Sequence, residues 1–247
     1  MSEQIKNLFS SISPTYDGLN HLLSLNTDRR WRKRTIGQIS FSKERPVAAL
    51  DLCAGTLDLS LEFLRQYPAG KVWAVDFSHD MLKHGLTKVR AHSPNEGPLR
   101  GSAPLQKRIH AICADGLQMP FPTEFFDVVF CGFGFRNFDD QTAALKEIHR
   151  VLKPDGQLLI LEFFRPTNSL TRIFHNTYGN FILPLIGGLI SGRKEAYRYL
   201  HRSIADFYSL EECKKLFEHA GFTIANAKNF SMGVCSLIVG KKPPLGV

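Results

Sequence analysis

Apolar and polar positions along this chain fall into blocks of two periodicities. Short, nearly continuous apolar runs predict strands buried on both faces over Val47–Cys53, Lys71–Phe77, Arg108–Cys113, Phe126–Cys131 and Gln157–Phe164. Apolar residues at helical spacing predict helices over Asp58–Gln66 (Leu59, Leu61, Phe63, Leu64) and about Gln141–Leu152 (Ala144, Leu145, Ile148, Leu152). Ser78-His79-Asp80 caps a further helix that runs to about Ala91. His92–Lys107, rich in Pro, Gly and Ser, reads as a loop, and Lys153-Pro154-Asp155-Gly156 as a turn. Residues 1–45 predict one or two helices broken at Ser13-Pro14. Residues 167–205 interrupt the alternation and read as an inserted helical lobe. A helix over Leu210–Ala220, stopped by Gly221, precedes two strands, 222–230 and 234–240, that predict a closing hairpin. Strand and helix in alternation imply an α/β fold: a mostly parallel sheet with helices on both faces, ending in an antiparallel pair. The chain divides into a helical cap (1–45), a core (46–166), the lobe (167–205) and a closing segment (206–247) within one domain.

Composition changes this picture little. Hydrophobic residues at 43% and charged residues at 22% are ordinary for a soluble globular domain, which excludes a disordered or fibrous chain. The net charge of +8 adds a partner class: an anion. Arg29, Arg30, Arg32, Lys33 and Arg34 cluster, as do Arg193, Lys194, Arg198 and Arg202. Nucleic acid, an anionic membrane surface and plain solvation are all open as the reason. Five cysteines form no CxxC pair and no metal-ligand spacing; those in predicted strands read as small core hydrophobes. With no secretory pattern at Met1-Ser2-Glu3-Gln4, the expected compartment is a reducing cytoplasm. The longest apolar run, 181–190, is too short to span a bilayer and is broken by Pro184, Gly187 and Gly188. It would lie on a membrane, line an apolar pocket, or simply pack as core.

The candidate chemistry sits at strand ends. Phe126–Cys131 empties into Gly132-Phe133-Gly134-Phe135-Arg136-Asn137, where a fixed cation and an amide follow two glycines. Ligands of open α/β sheets bind at such carboxyl ends. The first strand ends Leu50-Asp51-Leu52-Cys53-Ala54-Gly55-Thr56-Leu57-Asp58: an acid, a small-residue turn, then a helix. Asp76 ends the second strand about 20 residues further on, the position from which ribose hydroxyls are read. Asp115-Gly116 ends the third. No G-x-G-x-x-G cradle for a pyrophosphate is present, which argues against a nicotinamide dinucleotide.

These three acids and the turn resemble the cofactor motifs of class I S-adenosylmethionine-dependent methyltransferases, which have a Rossmann-like seven-stranded sheet. Further blocks narrow the resemblance. They are Phe9, Ile12, Tyr16-Asp17, Asn20, Ser24 and Arg29-x-Trp31-Arg32; Gly134-Phe135-Arg136-Asn137; Arg150–Gly156 with Leu161-Glu162-Phe163; Tyr197-Arg198-Tyr199-Leu200 with Ser203; and Ala220-Gly221-Phe222. Together they resemble the ubiquinone/menaquinone biosynthesis C-methyltransferase family over nearly the whole chain. Departures are Ala54 and Leu57 where the family has glycines, Asp28 for a frequent His, and the long 92–107 loop. Leu57 is expected to crowd the methionine end of the cofactor.

The resemblance implies methyl transfer from S-adenosylmethionine to a ring carbon of a polyprenylated quinol. It implies cofactor contacts from Gly55, Thr56, Asp58, Asp76, Asp115, Gly116 and Gly132. It implies catalytic roles for Arg136 (stabilising a phenolate or polarising a water), Asn137 (orienting the oxygen) and Tyr16 (closing the pocket), and acceptor contacts from Tyr178, Tyr197 and Tyr199. Bland readings stand beside these: Arg136 paired with Asp139 or Asp140, Tyr16 as core, Asp58 as a helix cap. Expected partners are the quinol and, peripherally, membrane lipid at the inner face of the cytoplasmic membrane, with no nucleic acid; a homodimer is allowed. The alternatives are a methyltransferase for another substrate such as RNA, and a non-catalytic subunit of a quinone-biosynthesis complex.

Overall fold

A computed structural model describes residues 5, 10, 17, 18, 24, 26–92, 103–169, 171, 172 and 194–244, with 92 and 194–197 as backbone alone. Helix α1 (Thr27–Ile36) precedes the sheet. Strands β1 (Ala48–Leu52), β2 (Lys71–Asp76), β3 (Ile109–Cys113), β4 (Phe126–Gly132) and β5 (Leu152–Glu162) all run parallel. Helices α2 (Asp58–Gln66), α3 (His79–His92) and α4 (Gln141–Val151) connect them. After α5 (Lys194–Ala205) and α6 (Leu210–His219) come β6 (Thr223–Phe230) and β7 (Cys235–Lys241). The sheet order is β3-β2-β1-β4-β5-β7-β6.

Sequence pattern explains the layers. Successive residues of a strand face opposite sides. Val128 and Phe130 of β4, with Leu159 and Leu161 of β5, therefore pack one face against Phe63 and Leu64 of α2 and Trp31 of α1. Val129 and Cys131, with Leu158 and Ile160, pack the other against Leu145 and Ile148 of α4 and Phe217 of α6. Burying each such side chain contributes about 1.5–3 kcal/mol. Caps fix the helix starts. The Asp140 carboxylate accepts the Ala143 N–H at 2.9 Å, and Ser209 and Glu212 form a reciprocal capping box on α6.

Two elements differ from expectation. The closing hairpin inserts its second strand into the sheet: β7 lies between β5 and β6, antiparallel to both, so β6 again runs with the other five. The turn at Lys153–Gly156 is absorbed into β5. Leu152 already pairs with Phe126, and the strand bulges until Gln157 pairs with Val128. The bulge is held by Asp155 in a left-handed conformation (φ 63°), whose N–H donates to the Lys242 carbonyl at 3.1 Å. Most of the lobe, including Tyr178, and residue Tyr16 lie outside the described residues, as does the 93–102 stretch.

Candidate active site

Strand order reverses between β1 and β4, and at such a switch point the loops part and leave a crevice. The donor side of this crevice is built from the ends of β1, β2 and β3. A shallow cleft opens between Leu52, Val75, Phe77 and Phe138, and Asp76, Asp115 and Gly116 line it as well. Gly116 permits the closure, because a Cβ there would come within 2.8 Å of the Phe138 ring. The loop after β1 is strained: Cys53, Gly55 and Leu57 are all left-handed (φ 57°, 52° and 68°). For the two non-glycine residues this costs on the order of 1 kcal/mol each. Asp76 holds the loop down, its Oδ2 accepting the Gly55 N–H at 2.8 Å while Oδ1 accepts the Ser78 N–H at 2.8 Å. Burial pushes the Asp76 carboxyl above its ordinary value, against the pull of these N–H groups.

Asp51 sits behind this loop, fully buried, and accepts a 2.6 Å hydrogen bond from the Ser60 hydroxyl. Burial outweighs that bond, and the Asp76 and Asp58 charges add to it, so the Asp51 carboxyl is pushed up to about 7. The half-buried Cys53 thiol is pushed well above its ordinary value by the neighbouring Cys131 thiol and by desolvation, and is no nucleophile. Cys131, Cys213 and Cys235 are buried, whereas Cys113 is exposed.

The cleft's chemistry suits an adenosine bearing a cationic tail. It has apolar walls. The Asp76 carboxylate accepts the Gly55, Ser78 and Phe77 N–H groups, and its two oxygens together keep room for a hydroxyl. Only Oδ1 of Asp115 is engaged within the described residues, by the Leu117 N–H at 3.0 Å, and the acids supply negative charge.

Other expected donor-side residues are placed differently. The Thr56 hydroxyl donates to Asp17, which pairs with Lys88 at 2.6 Å. Lys88 in turn pairs with Asp58 at 2.7 Å, Asp58 with Arg32 at 3.1 Å, and Arg32 with Asp28. Asp58 is therefore a link in an ion cluster. It does not cap α2, whose N-cap is Leu57, and it does not line the cleft. Gly132 makes its close approach to Leu59, whose Cδ1 a Cβ would meet at 2.4 Å. Leu57 overturns the crowding expected of it. Its side chain is wholly buried in the core and fills the space left by Gly85 of α3, where a Cβ would lie 2.5 Å from the Leu57 Cγ.

On the acceptor side, β4 ends in a single helical turn, Phe135–Asn137. Arg136 is buried with Glu162 of β5, at 4% and 0% side-chain exposure, and its Nη1 reaches Glu162 Oε1 at 2.6 Å. Neither Asp139 nor Asp140 is its partner in this pair. Nη1 also donates to the Phe133 carbonyl at 2.7 Å and Nε to the Ser203 hydroxyl at 3.2 Å. The backbone N–H of Arg136 and that of Phe163 occupy the two Glu162 oxygens further, at 3.2 and 2.7 Å. The second guanidinium nitrogen, Nη2, makes no hydrogen bond within the described residues. Asn137 Oδ1 accepts the Tyr199 hydroxyl at 2.8 Å, which leaves its amide N–H groups for another acceptor. Burial raises the Tyr199 phenol above its ordinary value, so it stays a donor. Tyr197 lies on the same helix, described as backbone only.

The sequence named Asp51 as the first strand-end acid and Glu162 and Ser203 as members of matched blocks, but gave none of the three a role. The available signal for Glu162 was a lone carboxylate in the apolar run Leu158–Phe164, since a buried acid needs a buried cation.

A model of the family described as ubiE/COQ5 methyltransferase matches residues 1–242. The chain belongs to that family. It is 34% identical to the demethylmenaquinone methyltransferases of Staphylococcus aureus strains JH9 and Newman over 241 residues, covering 97% of this chain and 93% of theirs. Solved structures share the fold at lower identity. The [4+2]-cyclase SpnF superposes with a TM-score of 0.70 at 15% identity, covering 99% of this chain and 97% of that one. An S-adenosylmethionine-dependent methyltransferase from Aquifex aeolicus gives 0.60 at 17%, covering 91% and 97%. This ubiE/COQ5 protein is thus an S-adenosylmethionine-dependent methyltransferase with the Rossmann-like sheet of class I. Among its described residues no helix is long and apolar enough to cross a membrane.

Proposed function

We propose that this protein methylates a ring carbon of a polyprenylated quinol, with demethylmenaquinol as the acceptor and menaquinol as the product. The observation that carries the reading is the buried Arg136–Glu162 pair, whose Nη2 makes no hydrogen bond among the described residues, one strand end away from an acid-lined cleft. The names of its relatives favour the naphthoquinol over the benzoquinol. S-adenosylmethionine, when bound, supplies an electrophilic methyl group on a sulfonium.

In this reading Asp76 and Asp115 hold the ribose and adenine, Gly55 and Gly116 let the chain come close, and Gly132 keeps α2 near the site. Ring carbon is a poor nucleophile until the neighbouring phenol loses its proton. Arg136 Nη2 and the Asn137 amide are the donors left to stabilise the phenolate, and Tyr16 closes the site from the N-terminal side. Glu162 fixes the guanidinium so that it need not reorganise as charge develops. Positioning supplies much of the remaining acceleration. Thr56 and Asp58 act through the ion cluster that ties residue 17 to the donor loop, while Tyr178, Tyr197 and Tyr199 belong to the acceptor wall. Because Leu57 does not obstruct the cleft, it gives no support to a non-catalytic role. The acceptor's apolar tail places the protein peripherally at the cytoplasmic membrane face.

The test is methyl transfer from labelled cofactor to a short-chain demethylmenaquinol. Product is expected with the native chain, and Arg136→Ala is expected to lose about 10²–10³ in kcat with cofactor affinity intact. Calorimetry showing no cofactor binding would remove the reading.

A further inference from the structure

We propose that the outward face of α1, with Met232 at its edge, is the surface that docks on an anionic phospholipid bilayer; this rests on the quinol-methyltransferase reading above. Helix α1 turns Asp28, Trp31, Arg32, Thr35 and Ile36 inward. At about 100° per residue, Arg29, Arg30, Lys33 and Arg34 fall together on the opposite side, and all four are exposed. None makes an ion pair with a carboxylate among the described residues, and the one acid of α1, Asp28, is buried with Arg32. Arg45, Arg165 and Lys241, also exposed, pair with Asp127, Glu212 and Asp155, whereas Lys71, Lys83 and Lys146 make no ion pair among the described residues; what sets α1 apart is four such cations on one helix face. Lys228 of the neighbouring edge strand β6 extends the patch, donating to the neutral Gln38 side chain at 3.0 Å.

A second observation is apolar. Met232, 89% exposed, is the one exposed large hydrophobic residue among those described. Its presentation is built in: Ser231, Met232 and Gly233 are consecutively left-handed (φ 48°, 56° and 88°). The Ser231 hydroxyl accepts the Trp31 indole N–H at 3.1 Å, which joins this turn to α1 on the Arg30 and Arg34 side. Trp31 lies 6.2 Å from the Phe163 ring, and the Arg136 guanidinium 5.9 Å from that same ring. A chain of packed rings thus connects the patch to the Arg136 side of the site.

A single apolar side chain does not anchor a protein, but an apolar tip beside a polybasic face supplies two signals. Each cation near an anionic surface favours partitioning by about five-fold, screened by salt. RNA would call for stacking aromatics on the exposed face, and the exposed side chain here is an aliphatic thioether.

The experiment is co-sedimentation with phosphatidylcholine vesicles that contain or lack phosphatidylglycerol. The full chain should bind only the anionic vesicles, and less in high salt. Joint reversal of Arg29, Arg30, Lys33 and Arg34 to Glu should weaken binding by ~100-fold or more. Met232→Ser should weaken it by about ten-fold. Should the reversal variant melt early, the same four positions changed to Gln carry the test. All variants should methylate a water-soluble short-chain acceptor normally and lose rate only on a vesicle-embedded one. Unchanged vesicle binding in the variants, or equal binding of neutral vesicles, overturns the docking surface. So does loss of salt-sensitive RNA binding with vesicle binding intact. Failure of the native chain to methylate the short-chain acceptor sinks the functional reading instead, and leaves the vesicle result to stand alone.

Discussion

The two sides of the crevice are made from different kinds of contact. On the donor side the strand-end acids are held by near neighbours in the chain. Asp115 is fixed from two residues away, Asp51 from nine and Asp76 from two and 21. On the acceptor side Arg136 has one near partner, three residues away, but its charge partner and Ser203 lie 26 and 67 residues away, and the partner of Asn137 lies 62 away. Local contacts form with little loop closure; distant ones need β5 and α5 in place first. The donor side therefore carries its strain in the backbone, in left-handed Cys53 and Leu57, and the acceptor side carries its risk in a buried charge.

Breaking the acceptor side should cost most. Glu162→Ala leaves the Arg136 guanidinium buried and unpaired, for about 3–5 kcal/mol of stability. Thermal melting of Glu162→Ala, Arg136→Ala and the double variant checks this: the double variant should be more stable than Glu162→Ala alone, and simple additivity would show that the pair is not coupled.

The donor side should respond to pH. Asp51 has a folded value of about 7 against an ordinary 3.8, so folding retains its proton. The resulting destabilisation is absent below pH 3.8, grows between 3.8 and 7, and is complete above 7, at an order-of-magnitude limit of about 4 kcal/mol. Asp51→Asn should therefore stabilise the free protein at pH 8 and hardly at all at pH 4, which denaturant titration at the two values tests. The same burial should make cofactor uptake near pH 7 release a proton, since a cationic ligand favours ionised Asp51; calorimetry in buffers of different ionisation enthalpy reads the proton number.

Gly85→Ala should cost about 1–3 kcal/mol through overlap with Leu57 and the Thr56 backbone, and the shift it forces on that loop should weaken cofactor binding in the variant that folds, which calorimetry checks. The smallest effect is Tyr199→Phe. Loss of one hydrogen bond to Asn137 should lower kcat by about ten-fold, with the dissociation constant for the cofactor unchanged. A change in that constant would mean that the two sides are coupled.

The same contrast explains what could be read from the sequence. The strands, helices and strand-end acids were legible, because each rests on a periodicity or a short spacing: α2 occupies the predicted Asp58–Gln66. The partner of Arg136 was not. Asp139 and Asp140 are adjacent in the chain, yet β5 is adjacent in space, and only the parallel register of Gly132 with Leu161 brings Glu162 alongside. The place of β7 inside the sheet was equally hidden, since a hairpin's strands look alike in sequence and either can take the inner position. Leu57 was misread because a residue position was judged without its backbone: at φ 68° a side chain points elsewhere than it would in a helical first turn.

The fit of Leu57 against Gly85 has a historical consequence. A large residue in the turn tolerates only a minimal one on the facing helix, so neither position is free to drift while the other stays. Adding bulk at 85 first would collide with the turn, and trimming 57 first would leave a void beneath the cofactor loop. Because the Thr56 backbone also forbids a Cβ at 85, a lineage moving between a glycine turn and this leucine turn keeps Gly85 and meets the cost of the void at position 57. A library randomised at the two sites should return glycine at 85 almost throughout, because a Cβ there would also come within 2.8 Å of the Thr56 backbone, and large apolar residues at 57.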